Sequence, residues 1–218
     1  MVLLAGFMFL GIAVAQEQLK DFDNIGTRTW QTQHLKGRVK KIEYCSVEHH
    51  RDCFIDEFNE YGVSIYDLQI RKSVERDGDS LKILINNDFS EGFYYLQHRK
   101  IVREEYSGND IFIMIYKYEG DRLIYKEEVV TEPTHTISFS KFFGYKYDNN
   151  GNLVEETFRD EDVSFKTVYD WNSKISKTYE NDSTNPTEVI HFVVDEQGNI
   201  IKEFKNGILV RENTIAYY

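Results

Sequence analysis

Tyr145-Lys146-Tyr147-Asp148-Asn149-Asn150-Gly151-Asn152-Leu153 is the stretch that decides how this chain folds. Residues two apart share one face of a strand, so Tyr145 and Tyr147 bring a strand to its end with both rings on the same side. Asp148 and the Asn-Asn-Gly after it tolerate left-handed backbone and make a turn. Leu153 then re-enters the sheet on a partner strand. One such unit is one β-hairpin.

The frame returns on either side. Val168-Tyr169-Asp170 is followed by Ile175, and Phe192-Val193-Val194-Asp195 by Gly198-Asn199-Ile200. The three Asp positions are 22 and 25 residues apart. Tyr116-Lys117-Tyr118-Glu119-Gly120-Asp121-Arg122-Leu123 is a shorter relative, and Phe58-Asn59-Glu60-Tyr61-Gly62 a more degenerate one. Other polar turn clusters punctuate the chain at 76–79, 86–88, 107–110, 159–162, 181–186 and 206–207. Between them side chains alternate with period two, as in Val163, Phe165, Thr167 and Tyr169, which is the half-buried strand pattern. Ile111–Tyr116 and Val189–Val194 are apolar on both faces and are expected to be covered on both. After residue 16 no segment keeps a helical period over three turns. The expected fold is all-β: an antiparallel meander of successive β-hairpins forming an open, twisted sheet, with an N-terminal signal helix. The expected organisation is a signal peptide at 1–15, an arm at 16–34 and a hairpin domain at 35–218.

The frame resembles the YD repeat, with core Tyr-x-Tyr-Asp-x-x-Gly-Asn-Leu, found in RHS and teneurin-type proteins. Tyr145 to Leu153 matches it throughout. The Asp195 unit keeps Asp, Gly, Asn and Ile, and the Asp170 unit keeps Tyr-Asp; the units lie mainly within 110–215. Phe204-Lys205-Asn206-Gly207-Ile208-Leu209 is similar to the hairpin of MORN-variant repeats. The resemblance implies a short exported bacterial protein built as a hairpin array. The chain is too short for the closed shells of the large members, so what carries over is architecture. Carbohydrate binding is often suggested for small exported proteins of this kind.

Met1 to Ala15 is an uncharged apolar run ending in Ala13-Val14-Ala15, the small-x-small pattern of a signal peptidase site. It is too short for a comfortable membrane span, and no Cys follows it to carry a lipid anchor. Periplasmic or extracellular residence is expected, without lipid anchoring and with no membrane association after cleavage. Cys45 and Cys53 are the only cysteines. In a strand–tip–strand segment they face each other, and export permits a disulfide. Free thiols, or a four-ligand zinc site completed by His49 and His50, are the other readings.

The formal net charge of −11 has the wrong sign for nucleic-acid phosphates. No zinc-type His spacing, nucleophile elbow, phosphate loop or dinucleotide fingerprint occurs. Neighbouring acids such as Asp160-Glu161-Asp162 are read as solvated turns, and His191 as a half-buried or edge residue. No catalytic residue, cofactor or metal is assigned. The aromatics remain, because flat rings with hydroxyls stack on sugars. Tyr145, Tyr147, Tyr169 and Trp171 are the candidate ligand-binding set, with Tyr94 and Tyr95 also considered. The expected function is a non-enzymatic interaction or scaffold module of the envelope, with an unidentified protein or glycan partner. Carbohydrate binding is the alternative. A hydrolase would instead need a deep pocket with converging polar groups of displaced pKa.

Overall fold

The computed structural model describes residues 28–218 except 48–51, 70, 78–79, 87–90, 99, 108–109 and 132–136. The expected signal helix at 1–15, most of the expected arm, and His49 and His50 lie outside the described residues.

The alternating segments form β1 (Val39–Ser46), β2 (Cys53–Glu57), β3 (Arg71–Asp77), β4 (Ser80–Asn86) and β5 (Glu91–Gln97). There follow β6 (Lys100–Ser107), β7 (Ile111–Glu119), β8 (Arg122–Thr131), β9 (Ile137–Tyr147) and β10 (Leu153–Arg159). The last five are β11 (Ser164–Asp170), β12 (Ile175–Glu180), β13 (Glu188–Val194), β14 (Ile200–Lys205) and β15 (Ile208–Tyr217). All belong to one antiparallel sheet, in the order β2-β1-β15-β14 and then strand by strand down to β3. The turn clusters read from Asn, Asp and Gly lie at the strand junctions, several of them starting in the last residues of a strand, as Arg76 and Asp77 do in β3 and Ser107 in β6.

The meander is not closed, and β2 and β3 are its edges. They are nevertheless consecutive in sequence, joined by residues 58–70. Fifteen strands laid flat would span about 65–70 Å at about 4.8 Å each. The connector, fully extended, reaches at most about 45 Å, and part of it is coiled as α1 (Ile65–Gln69). The sheet must therefore curl until its edges approach. Register shifts lie beside the turns of β5–β6, β7–β8, β9–β10 and β13–β14. A bulge bends its strand and sharpens the local twist, which supplies the curvature.

The concave face carries the apolar core in two clusters. One is Ile83, Ile85, Tyr94, Leu96, Ile101, Tyr116 and Leu123, from β4 to β8. The other is Val39, Ile42 and Phe58, with Trp30, Leu35, Ile215 and Tyr217 packed against it. The two strands expected to be covered on both faces are not. Phe192 is 3% exposed but its neighbour Val193 43%, and on β7 Tyr116 is buried while Ile113 and Ile115 on the other face are only half-buried. In a single curled layer no second sheet covers the outer side. His191 is exposed on that outer face.

Cys45 pairs with Cys53 across β1 and β2, and their sulfurs are bonded at 2.07 Å. Both sulfurs are spent, so neither the free-thiol nor the zinc reading stands. A disulfide belongs in an oxidising, non-cytoplasmic setting. Among the described residues no helix is long and apolar enough to cross a membrane.

Candidate functional site

The repeated Asp residues build their turns with their own side chains. Asp148 Oδ1 accepts the amides of Asn150 at 2.9 Å and Asn152 at 2.8 Å, and Oδ2 accepts Asn152 Nδ2 at 2.6 Å. Asp195 likewise accepts Gln197 at 3.0 Å and Asn199 at 2.9 Å. Gly151 and Gly198 take φ of 82° and 87° in these turns, a conformation that costs glycine little. Asp170 accepts Asn172 and Ser173 in the third turn. These hydrogen bonds hold the Asp148 and Asp170 carboxyls below the usual range.

The turns after β7, β9, β11 and β13 share one rim of the curled sheet, and residues 28–37 lie along it. Asn199, 3% exposed, faces that segment with its whole carboxamide. Its Oδ1 accepts Lys36 N–H at 2.6 Å, and its Nδ2 donates to Lys36 C=O at 2.7 Å and to Tyr217 Oη at 2.7 Å. The Lys36 ammonium donates to Asn152 Oδ1 and sits 4.8 Å from the centre of the Trp171 ring. Trp30 donates from Nε1 to Val39 C=O at 2.8 Å. A Cβ on Gly62 would lie 2.4 Å from the Trp30 ring, so only glycine allows this approach.

His34 rests on Tyr145, with ring centres 4.8 Å apart, and its Nδ1 is 3.0 Å from Tyr147 Oη. Tyr147 gives its single proton to Leu123 C=O at 2.9 Å. The imidazole must then be the donor to Tyr147, through Nδ1–H. Burial lowers the His34 pKa to about 4, so the ring is neutral near pH 7.

Beneath the segment is a cavity of about 300 Å³. Its walls include Tyr44 on β1, Glu156 on β10, Tyr169 on β11, Glu203 on β14, and Arg211 and Asn213 on β15. Arg211 Nη1 is 2.9 Å from Glu203 Oε2, and Tyr169 donates to Glu156 at 3.4 Å. Burial raises the pKa of both glutamates and pushes that of Tyr44 up to about 12. Asn213 donates from Nδ2 to Ile200 C=O at 2.9 Å. Its buried Oδ1 has no hydrogen-bond partner among the described residues. A second concave pocket, lined by Thr167, Thr178, Glu188 and Lys205, shares Tyr169, Glu203 and Arg211 with the first.

No protein-family model matches the chain, and neither does any curated protein. Its fold is similar to that of a solved porin-like protein from Bacteroides vulgatus ATCC 8482. The two share 14% sequence identity at a TM-score of 0.53, over 83% of this chain and 98% of that one. At that identity the likeness shows the fold alone.

Of the candidate set, Tyr147, Tyr169 and Trp171 line the cavity, and Tyr145 packs beside it under His34. They do not form an exposed row of rings. Trp171 donates to Leu153 C=O at 2.7 Å, meets Phe192 edge-on, and has Lys36 and Lys174 over its ring. Tyr94 is buried in the core, and Tyr95 carries Arg103 against its ring. Sequence reading missed Glu203, Arg211 and Asn213, although a signal existed. The Asn206-Gly207 hairpin sets Glu203 opposite Arg211, and period two puts Asn213 on the same face.

Proposed function

We propose that the protein is an exported, non-enzymatic binding module, built of YD-like hairpins, that carries a small polar ligand in the cavity beneath residues 28–37. The observation that carries this reading is the cavity itself, of about 300 Å³ and walled by Tyr169, Glu156, Glu203 and Arg211. The cavity volume lies at the small end of the usual ligand range, about 300–1,000 Å³. The concave, aromatic-lined wall favours this over a flat scaffold surface.

Glu156 and Glu203 meet part of what a hydrolase requires, since both line the cavity with raised pKa values. Each is already engaged, however, by Tyr169 and by Arg211 respectively. Binding is therefore the reading we adopt.

The porin-like neighbour raises a channel as another reading. The outer face here carries cross-strand charge pairs, including Lys146–Glu155 at 2.6 Å, Lys202–Glu212 at 3.1 Å and Lys41–Glu57 at 3.7 Å. A lipid-facing barrel presents an apolar band instead. These pairs favour a protein surrounded by water.

The test is a thermal-shift panel on the mature protein with neutral sugars, sugar acids, amino acids and nucleosides. At least one class is expected to raise Tm in the wild type and to fail with Arg211→Leu. A panel in which every class leaves Tm unchanged would remove the proposal.

A further inference from the structure

Resting on that reading, we infer that the cavity binds a zwitterion of amino-acid size, with its ammonium on Glu156 and its carboxylate on Arg211. The charged side chains lining the cavity are Lys36, Arg122 and Arg211 against Asp121, Glu156 and Glu203, three of each sign. A ligand of zero net charge suits that balance. Most of these groups are already engaged. Asp121 pairs with Lys100 at 2.9 Å, Arg122 donates to Asp148 C=O at 3.2 Å, and Lys36 donates to Asn152 Oδ1. Glu156 differs. Its Oε2 accepts a long bond from Tyr169, at 3.4 Å, whereas its Oε1 accepts none among the described residues and is not buried. It has no ion pair among the described residues either. Arg211 is the complementary group. Its Nη1 meets Glu203 at 2.9 Å and its side chain is 57% exposed, which leaves further guanidinium N–H donors open to a carboxylate.

Tyr169 ties the two groups to one space. Burial raises the pKa of its hydroxyl, Glu156 and Glu203 raise it further, and Arg211 lowers it. Both signs of charge therefore act on a single side chain of the cavity wall. An uncharged ligand would strip water from Glu156 and Arg211 and return no charge to either, which costs free energy. An amine would answer Glu156 alone, and a carboxylic acid Arg211 alone. A zwitterion answers both, through charge-assisted hydrogen bonds. Burial also raises the Glu156 pKa, and an ammonium beside it would bring it down again. Tyr44 and Tyr169 supply ring area for an apolar side chain. A cavity of about 300 Å³ beneath residues 28–37 admits one amino acid rather than a peptide chain.

The experiment is isothermal titration of the protein with leucine, phenylalanine and 6-aminohexanoate, whose two charges lie farther apart. Each is compared with the amine and the carboxylic acid that lack one of its charges: 3-methylbutylamine and 4-methylpentanoate, phenethylamine and 3-phenylpropanoate, pentylamine and hexanoate. At least one amino acid is expected to bind at least tenfold more tightly than both of its one-charge counterparts. Tighter binding of 6-aminohexanoate identifies an ω-amino acid as the source, and the reverse identifies an α-amino acid. Glu156→Gln should weaken the amino acid tenfold or more and leave its carboxylic acid counterpart unchanged. Arg211→Leu should weaken it as much and leave the amine unchanged. Glu156→Gln keeps the shape of the side chain and carries the test if Arg211→Leu does not fold. A one-charge counterpart binding as tightly as its amino acid, or unchanged affinity in Glu156→Gln, would overturn the inference. If amino acids fail while sugars or nucleosides bind, this inference falls and the cavity reading stands. If nothing binds, both fall.

Discussion

Asn199 grips Lys36 by both of its backbone polar groups, accepting its N–H at 2.6 Å and donating to its C=O at 2.7 Å. The two residues are 163 positions apart, so this contact fastens the segment before the first strand onto a turn near the end of the chain. The aspartate that shapes the turn, Asp195, also receives the Tyr217 hydroxyl. Turn, last strand and rim segment are thus one hydrogen-bonded unit.

Asn199→Ala should destabilise the fold by about 2–4 kcal/mol, because it leaves two backbone groups of Lys36 unsatisfied. Asn152→Ala should cost less, since its partner is an ammonium that water can satisfy. Hydrogen exchange checks the mechanism: the Lys36 amide should lose its protection in the first variant, while amides in β11 and β12 keep theirs.

Acid should loosen the rim segment through His34. Its folded pKa of about 4 lies below the ordinary imidazole value of 6.5, so between these values the unfolded chain holds a proton that the folded one refuses. Stability from this residue is complete above pH 6.5 and is lost as pH falls towards 4, by at most about 3 kcal/mol. Urea unfolding across that range should give a steeper decline for the wild type than for His34→Gln. Equal slopes would exclude the imidazole as the source.

Glu104 should act in the opposite direction. It is 2% exposed within the β4–β8 core, and burial raises its pKa although the Tyr106 and Tyr116 hydroxyls donate to it. The folded state then holds the proton more tightly than the unfolded one. Its contribution is full below pH 4.5 and declines as pH rises through the raised value. Glu104→Gln should flatten that decline in the same unfolding series.

Reducing the Cys45–Cys53 bond should lower stability by about 2–3 kcal/mol, as expected for a loop this short. The loss should concentrate at edge strand β2, which has one neighbour. Exchange in β2 should accelerate under reductant while β9 and β10 change little. A uniform increase across the sheet would count against this account.

The hairpins were legible because their determinants are local. Period two gives strands, and Asp148 or Asp195 caps a turn with amides two and four residues on. The facing of Cys45 and Cys53 was readable for the same reason. What was not legible depends on distant partners. Nothing near Val39 announces that β1 will pair with β15, and nothing near Lys36 points to Asn199. The curl follows from those pairings and from the short connector at 58–70, so the concave face and its cavity were hidden. The aromatic candidates were thus placed together by a fold whose inward curvature also covers them. For Glu203, Arg211 and Asn213 the local hairpin gives a shared face, but not the cavity wall that this face joins.

A crystal structure of the protein with the ligand class that raises its Tm tests the central claim most directly. The account predicts the ligand beneath residues 28–37, against Tyr169, Glu203 and Arg211. A ligand seated on the outer face of the sheet would contradict it.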